Sequence, residues 1–201
     1  MQGSEHSVRY LAAASQIVEA IDPSQMDEMA RAVAGIRSRS GRLFVLGVGG
    51  GAGHASHAVN DFRKLCLIES YAPTDNVSEL TARANDDGWD TTFAAWLKGS
   101  RLSERDALLV FSVGGGDEAK GVSANIVAAL KLAVDRRTPI FGIVGRDGGT
   151  TAKLADAAVI IPPLFADHIT PHTEGLCAVI WHLLVTHPAL ARVATRWESI
   201  R

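Results

Sequence analysis

Apolar side chains recur at helical spacing over residues 4–38. Val8, Leu11, Ala12, Ile17, Val18 and Ile21 form one series, and Met26, Met29, Ala30, Val33 and Ile36 a second. Asp22-Pro23-Ser24 separates the two and places a proline at a helix start. The pattern predicts a helical arm of two helices over residues 1–40. From residue 42 the rhythm changes. Short apolar runs (Leu43–Leu46, Leu65–Tyr71, Ala107–Phe111, Ile140–Val144 and Ala157–Ile161) alternate with helical periods near 53–64, 78–98, 117–135 and 149–155. Continuous apolar runs between helical stretches predict buried parallel strands covered on both faces. A last helix is expected from Thr170-Pro171 to about Val185, and a short one after Pro188. The predicted architecture is therefore α/β: a three-layer sandwich around a five-stranded parallel sheet, residues 41–201, with the arm attached in one domain.

Two predicted strands run into glycine clusters, Gly47–Gly53 and Ser112–Asp117, and a third loop follows at Gly145–Thr150. All three fall at the carboxyl edge of the sheet, where open α/β sheets bind ligands. Strand, glycine loop and helix in that order bring bare backbone N–H groups against an anion. Just behind the first loop stand His57 and Asp61. Their four-residue spacing puts them on one helix face, as an acid/base or metal pair requires. His54 faces about 60° away from His57 and is not expected to join it.

Composition narrows the functions. At 201 residues, 47% hydrophobic and 21% charged, with a net charge of −2, the chain carries no basic patch for nucleic acid or an anionic membrane. Cys66 and Cys177 form no paired motif, and the N-terminus lacks a basic segment followed by an apolar one. Both point to a reducing, cytoplasmic compartment. Gly47–Ala52 also fits the dinucleotide pattern G-x-G-x-x-G/A, with Glu69 about 20 residues on. That reading leaves the second glycine cluster and the His–Asp pair without a use.

Together these motifs resemble the sugar isomerase (SIS) domain family, and within it the phosphoheptose isomerases, over essentially the whole chain. Gly47–Asp61 is similar to the family's first motif, with His57 at its histidine and Asp61 at its glutamate. Leu80–Asp86 matches a middle L-T-A-x-x-N-D element, and Ser112–Asp117 the hydroxyl-rich second loop. Val144–Gly149 matches T-G-R-D-G-G, and Glu174 to His182 the Q-E-x-H-x-x-x-x-H helix motif. Val48, Gly51, Val113, Gly114 and Asp117 depart from it, removing an amide and several hydroxyls. Asp117 beside a phosphate would repel unless it turns away or caps a helix. Glu174 replaces a glutamine.

The resemblance implies an aldose–ketose isomerase of a sugar phosphate, sedoheptulose 7-phosphate in the standard case, with proton transfer through an enediol. It implies Asp61 and His182 as the catalytic pair. The implied substrate contacts are Gly49, Gly50, Gly51, Asn85, Asp86, Ser112, Val113, Gly114, Gly115 and Glu174. Zinc is the implied metal, on His57, Asp61, Glu174 and His182. Glu174 and His182 lie eight residues, about 12 Å of helix, apart, so one ion cannot easily take both from one helix. The implied assembly is a homotetramer with active sites at subunit interfaces and no nucleic-acid or membrane partner. A non-catalytic sugar-phosphate-binding regulatory protein of the same family is the alternative, and a small dinucleotide-binding protein the more distant one. His172, near the start of the last helix, is either a substrate contact or an exposed cap.

Overall fold

In a computed structural model, which describes residues 2–194, five parallel strands form one sheet in the order β2-β1-β3-β4-β5. They are β1 (Leu43–Gly47), β2 (Ser70–Tyr71), β3 (Ala107–Ser112), β4 (Ile140–Gly145) and β5 (Ala157–Ile161). The helices are α1 (Gln2–Ala20), α2 (Pro23–Ser38), α3 (Gly50–Cys66), α4 (Val77–Asp86), α5 (Thr92–Gly99), α6 (Ala124–Asp135), α7 (Gly149–Leu154) and α8 (Ile169–Thr186). Every residue of β1 and β4 is buried, which explains why these strands read as unbroken apolar runs.

One apolar cluster fills the face under α2, α3 and α8, around Met29, Phe62, Trp181 and Leu184. A second, around Phe44, Phe93, Leu97 and Leu130, fills the face under α5 and α6. Burying a side chain such as Phe62 contributes about 1.5–3 kcal/mol. The predicted arm divides between these environments. Met29, Ala30, Val33 and Ile36 of α2 are fully part of the first cluster, so α2 is a core helix. Asp22 caps it by accepting the Ser24 N–H at 2.9 Å. In α1, Ala13 and Ile17 are buried and Tyr10 packs on His172, and Ile21 just past its end joins the first cluster. Val8 and Leu11 are each 68% exposed, and Val18 is exposed too.

Four sequence expectations change. The run Leu65–Tyr71 is mostly helix and turn: Phe62, Leu65 and Cys66 continue the buried face of α3, and left-handed Leu67 (φ 54°) ends it, leaving a two-residue edge strand. The period over 78–98 is two helices, broken at Gly88 (φ 85°). The helix expected from 117 begins at Ala124, because residues 113–123 form a loop closed by an Asp117–Val122 bridge. After Pro188 the described chain makes a turn; residues 195–201 lie outside the described part.

The sheet order turns at β1. The chain leaves β1 for β2 on one side and returns as β3 on the other, so the loops after β1 and β3 part and open a crevice at the carboxyl edge.

Candidate active site

That crevice is a cleft of about 1530 Å³, shared by both glycine loops, the β4–α7 turn and the start of α8. Its floor requires close backbone approach. Gly115, at φ 68°, lies so near the Gly148 carbonyl that a Cβ would sit 1.8 Å from its oxygen. The second loop is pinned to α7: Thr150 N–H donates to the Gly116 carbonyl (2.8 Å), and Thr151 donates to the Gly115 carbonyl through both N–H (2.9 Å) and Oγ1 (2.7 Å). Ser112 Oγ accepts the Gly115 N–H at 3.0 Å. Asp117 turns to Lys120, accepting its N–H at 3.1 Å and pairing with its Nζ at 3.0 Å. Those contacts hold its carboxyl below the ordinary range. It caps no helix, and Ser123 precedes α6 instead.

Glu174, from α8, enters the same cleft where α3 begins. A Cβ on Gly50 would lie 2.6 Å from its carboxylate, so the glycine makes the seat in which the carboxylate rests. The positive end of the α3 dipole favours an anion there.

About two turns further along the α3–α8 seam a second group assembles. Asp61 Oδ2 lies 3.8 Å from His57 Nε2 and 3.9 Å from His182 Nε2. Oδ1 accepts from Asn60 Nδ2 at 2.8 Å, but the buried Oδ2 accepts no hydrogen bond among the described residues. The His182 ring is oriented through Nδ1, 2.7 Å from the Ala178 carbonyl one turn back, so Nδ1–H donates and Nε2 faces Asp61. Trp181 stacks on His182 (ring centroids 3.5 Å, 27°) and meets His57 edge-on at 4.7 Å. Three potential ligand atoms thus converge at separations too long for hydrogen bonds between Asp61 Oδ2 and either imidazole. A buried carboxylate oxygen is costly without a countercharge, and either a metal ion or an added proton would supply one.

These positions divide the expected site residues. His57, Asp61 and His182 come together, with their ligand atoms all within 4.8 Å of one another. Glu174 is outside that group, which reduces the expected four-ligand set to three within one chain; the helix rise between Glu174 and His182 is the reason. Gly51, Ser112, Val113, Gly114 and Glu174 line the cleft, as does His54, while Gly50 and Gly115 shape it through close approach to Glu174 and Gly148, and exposed Gly49 precedes α3 without lining it. Asn85 and Asp86 are not brought to it: they end α4, exposed, with Asn85 Nδ2 donating to Asp86 Oδ1 at 2.8 Å. His172 is neither a cleft contact nor an exposed cap. It is buried under Tyr10 of α1 at a 4.2 Å ring separation. Both cysteine thiols are buried and pushed up by burial, Cys66 to about 11, so neither is a nucleophile. The sequence reading missed Trp181, whose adjacency to His182 was the available signal, and assigned nothing to Arg146 of the third loop.

No family model matches the chain. It is 32% identical to the lincomycin biosynthesis protein LmbN of Streptomyces lincolnensis over 72% of the chain, but spans only 54% of that relative. It is 32% identical to the phosphoheptose isomerase of Solidesulfovibrio magneticus, covering 79% of the chain and 74% of the relative. Among solved structures, the phosphoheptose isomerase of Francisella tularensis superposes with a TM-score of 0.77 over 92% of this chain and 97% of that one, at 22% identity. That likeness establishes the shared fold.

Proposed function

The chain belongs to the phosphoheptose isomerase family, and from that premise we propose that it is an aldose–ketose isomerase of a sugar phosphate, with sedoheptulose 7-phosphate as the substrate to test first. The observation that carries the catalytic reading is the convergence of His57, Asp61 and His182 around an unpartnered buried carboxylate oxygen. A protein that only binds a sugar phosphate has no need of such a group, and a dinucleotide binder has no use for it.

Isomerisation moves one proton between C1 and C2 and one between the two oxygens. Asp61 Oδ2 is the carboxylate able to take the carbon-bound proton. His182, tethered through Nδ1, exchanges a proton at Nε2 with the substrate oxygen, and the Ala178 carbonyl fixes which nitrogen does so. Trp181 keeps both imidazoles in place and excludes water from one side. His57, Asp61 and His182 also suit zinc, which would take the same Oδ2 and Nε2 lone pairs in place of a proton: two imidazoles and a carboxylate are an ordinary ligand set, and the orphaned Oδ2 would gain its countercharge. When bound, zinc supplies Lewis-acid polarisation of the substrate oxygens.

His57 and His182 open to the surface of the helical layer rather than into the cleft of their own chain. Beside them Val179 and Leu183 of α8 are exposed, as are Val8, Leu11 and Val18 of α1. A homotetramer in which a neighbouring subunit covers these apolar positions and closes the site is the assembly we propose. Light scattering should give four times the chain mass, and Leu11→Glu should dissociate it.

The deciding experiment incubates the enzyme with sedoheptulose 7-phosphate in D2O and follows deuterium entry at C1 and C2 by NMR. Exchange in the wild type that is absent in Asp61→Asn and His182→Gln is expected. Wild-type protein that binds the sugar phosphate without exchange makes it a binding module instead.

A further inference from the structure

Two glycine loops border the cleft, and each could seat the phosphate of the substrate. The first is already taken. Glu174 places its carboxylate over Gly50 at the start of α3, and a phosphate dianion brought there would meet a negative charge. The second loop has lost the side chains that usually grip an anion, since Val113, Gly114 and Asp117 stand where hydroxyls are expected and Asp117 is occupied by Lys120. What the second loop retains is backbone. Gly114 and Gly116 line the cleft, and their N–H groups donate no hydrogen bond among the described residues. Gly115 and Gly116 are left-handed, and with the Gly115 N–H already donated to Ser112 Oγ, Gly114 and Gly116 carry the amides this turn leaves open as an anion nest.

A nest of neutral amides needs a charge to hold a dianion firmly. Of the cleft's cations, Lys120 is paired with Asp117 and Lys131 with Glu118, while Lys153 of α7 and Arg146 have no ion-pair partner among the described residues. Arg146 is the unpaired one that lies against the second loop. Its side chain lies along the second loop, with Cδ 3.7 Å and Nε 4.0 Å from the point where Gly114 would carry a Cβ. It is exposed into the cleft, and its guanidinium makes no hydrogen bond or ion pair among the described residues. The neighbouring Asp147 does not neutralise it; its carboxylate instead accepts the Gly149 N–H at 3.1 Å. Arg146 also holds a left-handed backbone (φ 54°), a conformation uncommon for a side-chain-bearing residue, directly after β4. The absence of a side chain at Gly114 is what lets the guanidinium approach the nest.

We propose that Arg146, together with the Gly114 and Gly116 amides, is the phosphate anchor of this chain and its determinant for phosphorylated over free sugars. The guanidinium fork meets two phosphate oxygens while the amides take a third. Glu174 then faces the opposite, hydroxyl-bearing part of the sugar, so the two loops set the direction in which the substrate lies. This assignment rests on the sugar-phosphate reading above.

The test uses inorganic phosphate as the probe and three variants of the full-length protein: Arg146→Gln, Arg146→Lys and, as a control on an exposed arginine at the end of α6, Arg136→Ala. Millimolar phosphate should raise the melting temperature of the wild type and of Arg136→Ala. Arg146→Gln should weaken phosphate binding by roughly tenfold to a hundredfold, and Arg146→Lys should restore part of it. With sugar phosphate, Arg146→Gln should raise KM by a similar factor with kcat nearly preserved. Melting temperatures without phosphate and far-UV circular dichroism report whether each variant is folded, and Arg146→Asn, which tolerates the left-handed backbone, replaces any that is not. A wild type that does not respond to phosphate, or an Arg146→Gln protein that responds as the wild type does, overturns the assignment. A phosphate response that depends on Arg146 in a protein with no C1–C2 exchange keeps the anchor and removes the isomerase.

Discussion

The two ends of the α3–α8 seam each hold one carboxylate, and the two are treated in opposite ways. At the cleft end Glu174 comes from α8 and rests on Gly50, in the favourable field of a helix N-terminus and in contact with solvent. At the far end Asp61 comes from α3, is buried, and has an oxygen with no donor, flanked by two imidazoles. A helix terminus and water stabilise an anion as it stands. A buried oxygen facing only imidazole nitrogens is stabilised when a cation or a proton arrives. The lesson is that residue type does not assign the role. Both are acids at motif positions, but only Asp61 sits where its charge is unsatisfied and so available for proton or metal chemistry.

The largest expected effect breaks the far end. Asp61→Asn should lower turnover by about 10²–10⁴-fold, the range for loss of a positioned acid or base. The same variant should lose bound zinc in elemental analysis of purified protein, while its circular dichroism is unchanged. If Asp61→Asn keeps full zinc and full activity, the two ends are not functionally distinct.

A smaller effect sharpens the contrast at the cleft end. Glu174→Gln removes the charge but keeps the shape, and it should change KM for the sugar phosphate by no more than about tenfold, the size of one hydrogen bond or a partly exposed charge. Its zinc content should equal that of the wild type. Loss of zinc in Glu174→Gln would mean that Glu174 ligates after all, across a subunit boundary.

The smallest effect concerns His172, on α8 two residues before Glu174. Burial first, and the neighbouring His168 second, hold its pKa below the ordinary histidine value of 6.5. A base whose folded pKa is depressed binds its proton more weakly in the folded state than in the unfolded one. The protein is therefore expected to lose stability as the pH falls below about 6.5, and to keep its full stability above it. Urea midpoints measured from pH 7.5 to 5 should fall more steeply for the wild type than for His172→Phe, which can still stack on Tyr10 but cannot be protonated. Equal slopes would show that His172 does not titrate during unfolding.

Much of this molecule is legible along the chain because its determinants are local. Unbroken apolar runs marked the buried strands. Gly47–Gly53 and Ser112–Asp117 marked the sheet edge, since few residues other than glycine permit such close backbone contact. His57 and Asp61 could be paired from their four-residue spacing alone, as helix geometry makes them neighbours whatever surrounds them. The extent of Leu65–Tyr71 was misread, because an apolar helix end and a buried strand have the same composition over a few residues.

Tertiary structure alone decided the rest. Asp61 and His182 are 121 positions apart, and only the parallel packing of α3 on α8 brings them within 3.9 Å. The same packing carries Glu174 to Gly50 instead of to the imidazoles, because eight residues of rigid helix cannot be shortened. Arg146 was a motif letter until the β4–α7 turn laid it against Gly114. Spacing within one helix is a local property that sequence carries, whereas proximity between elements comes from which apolar faces bury each other, and that is settled only when the whole chain packs.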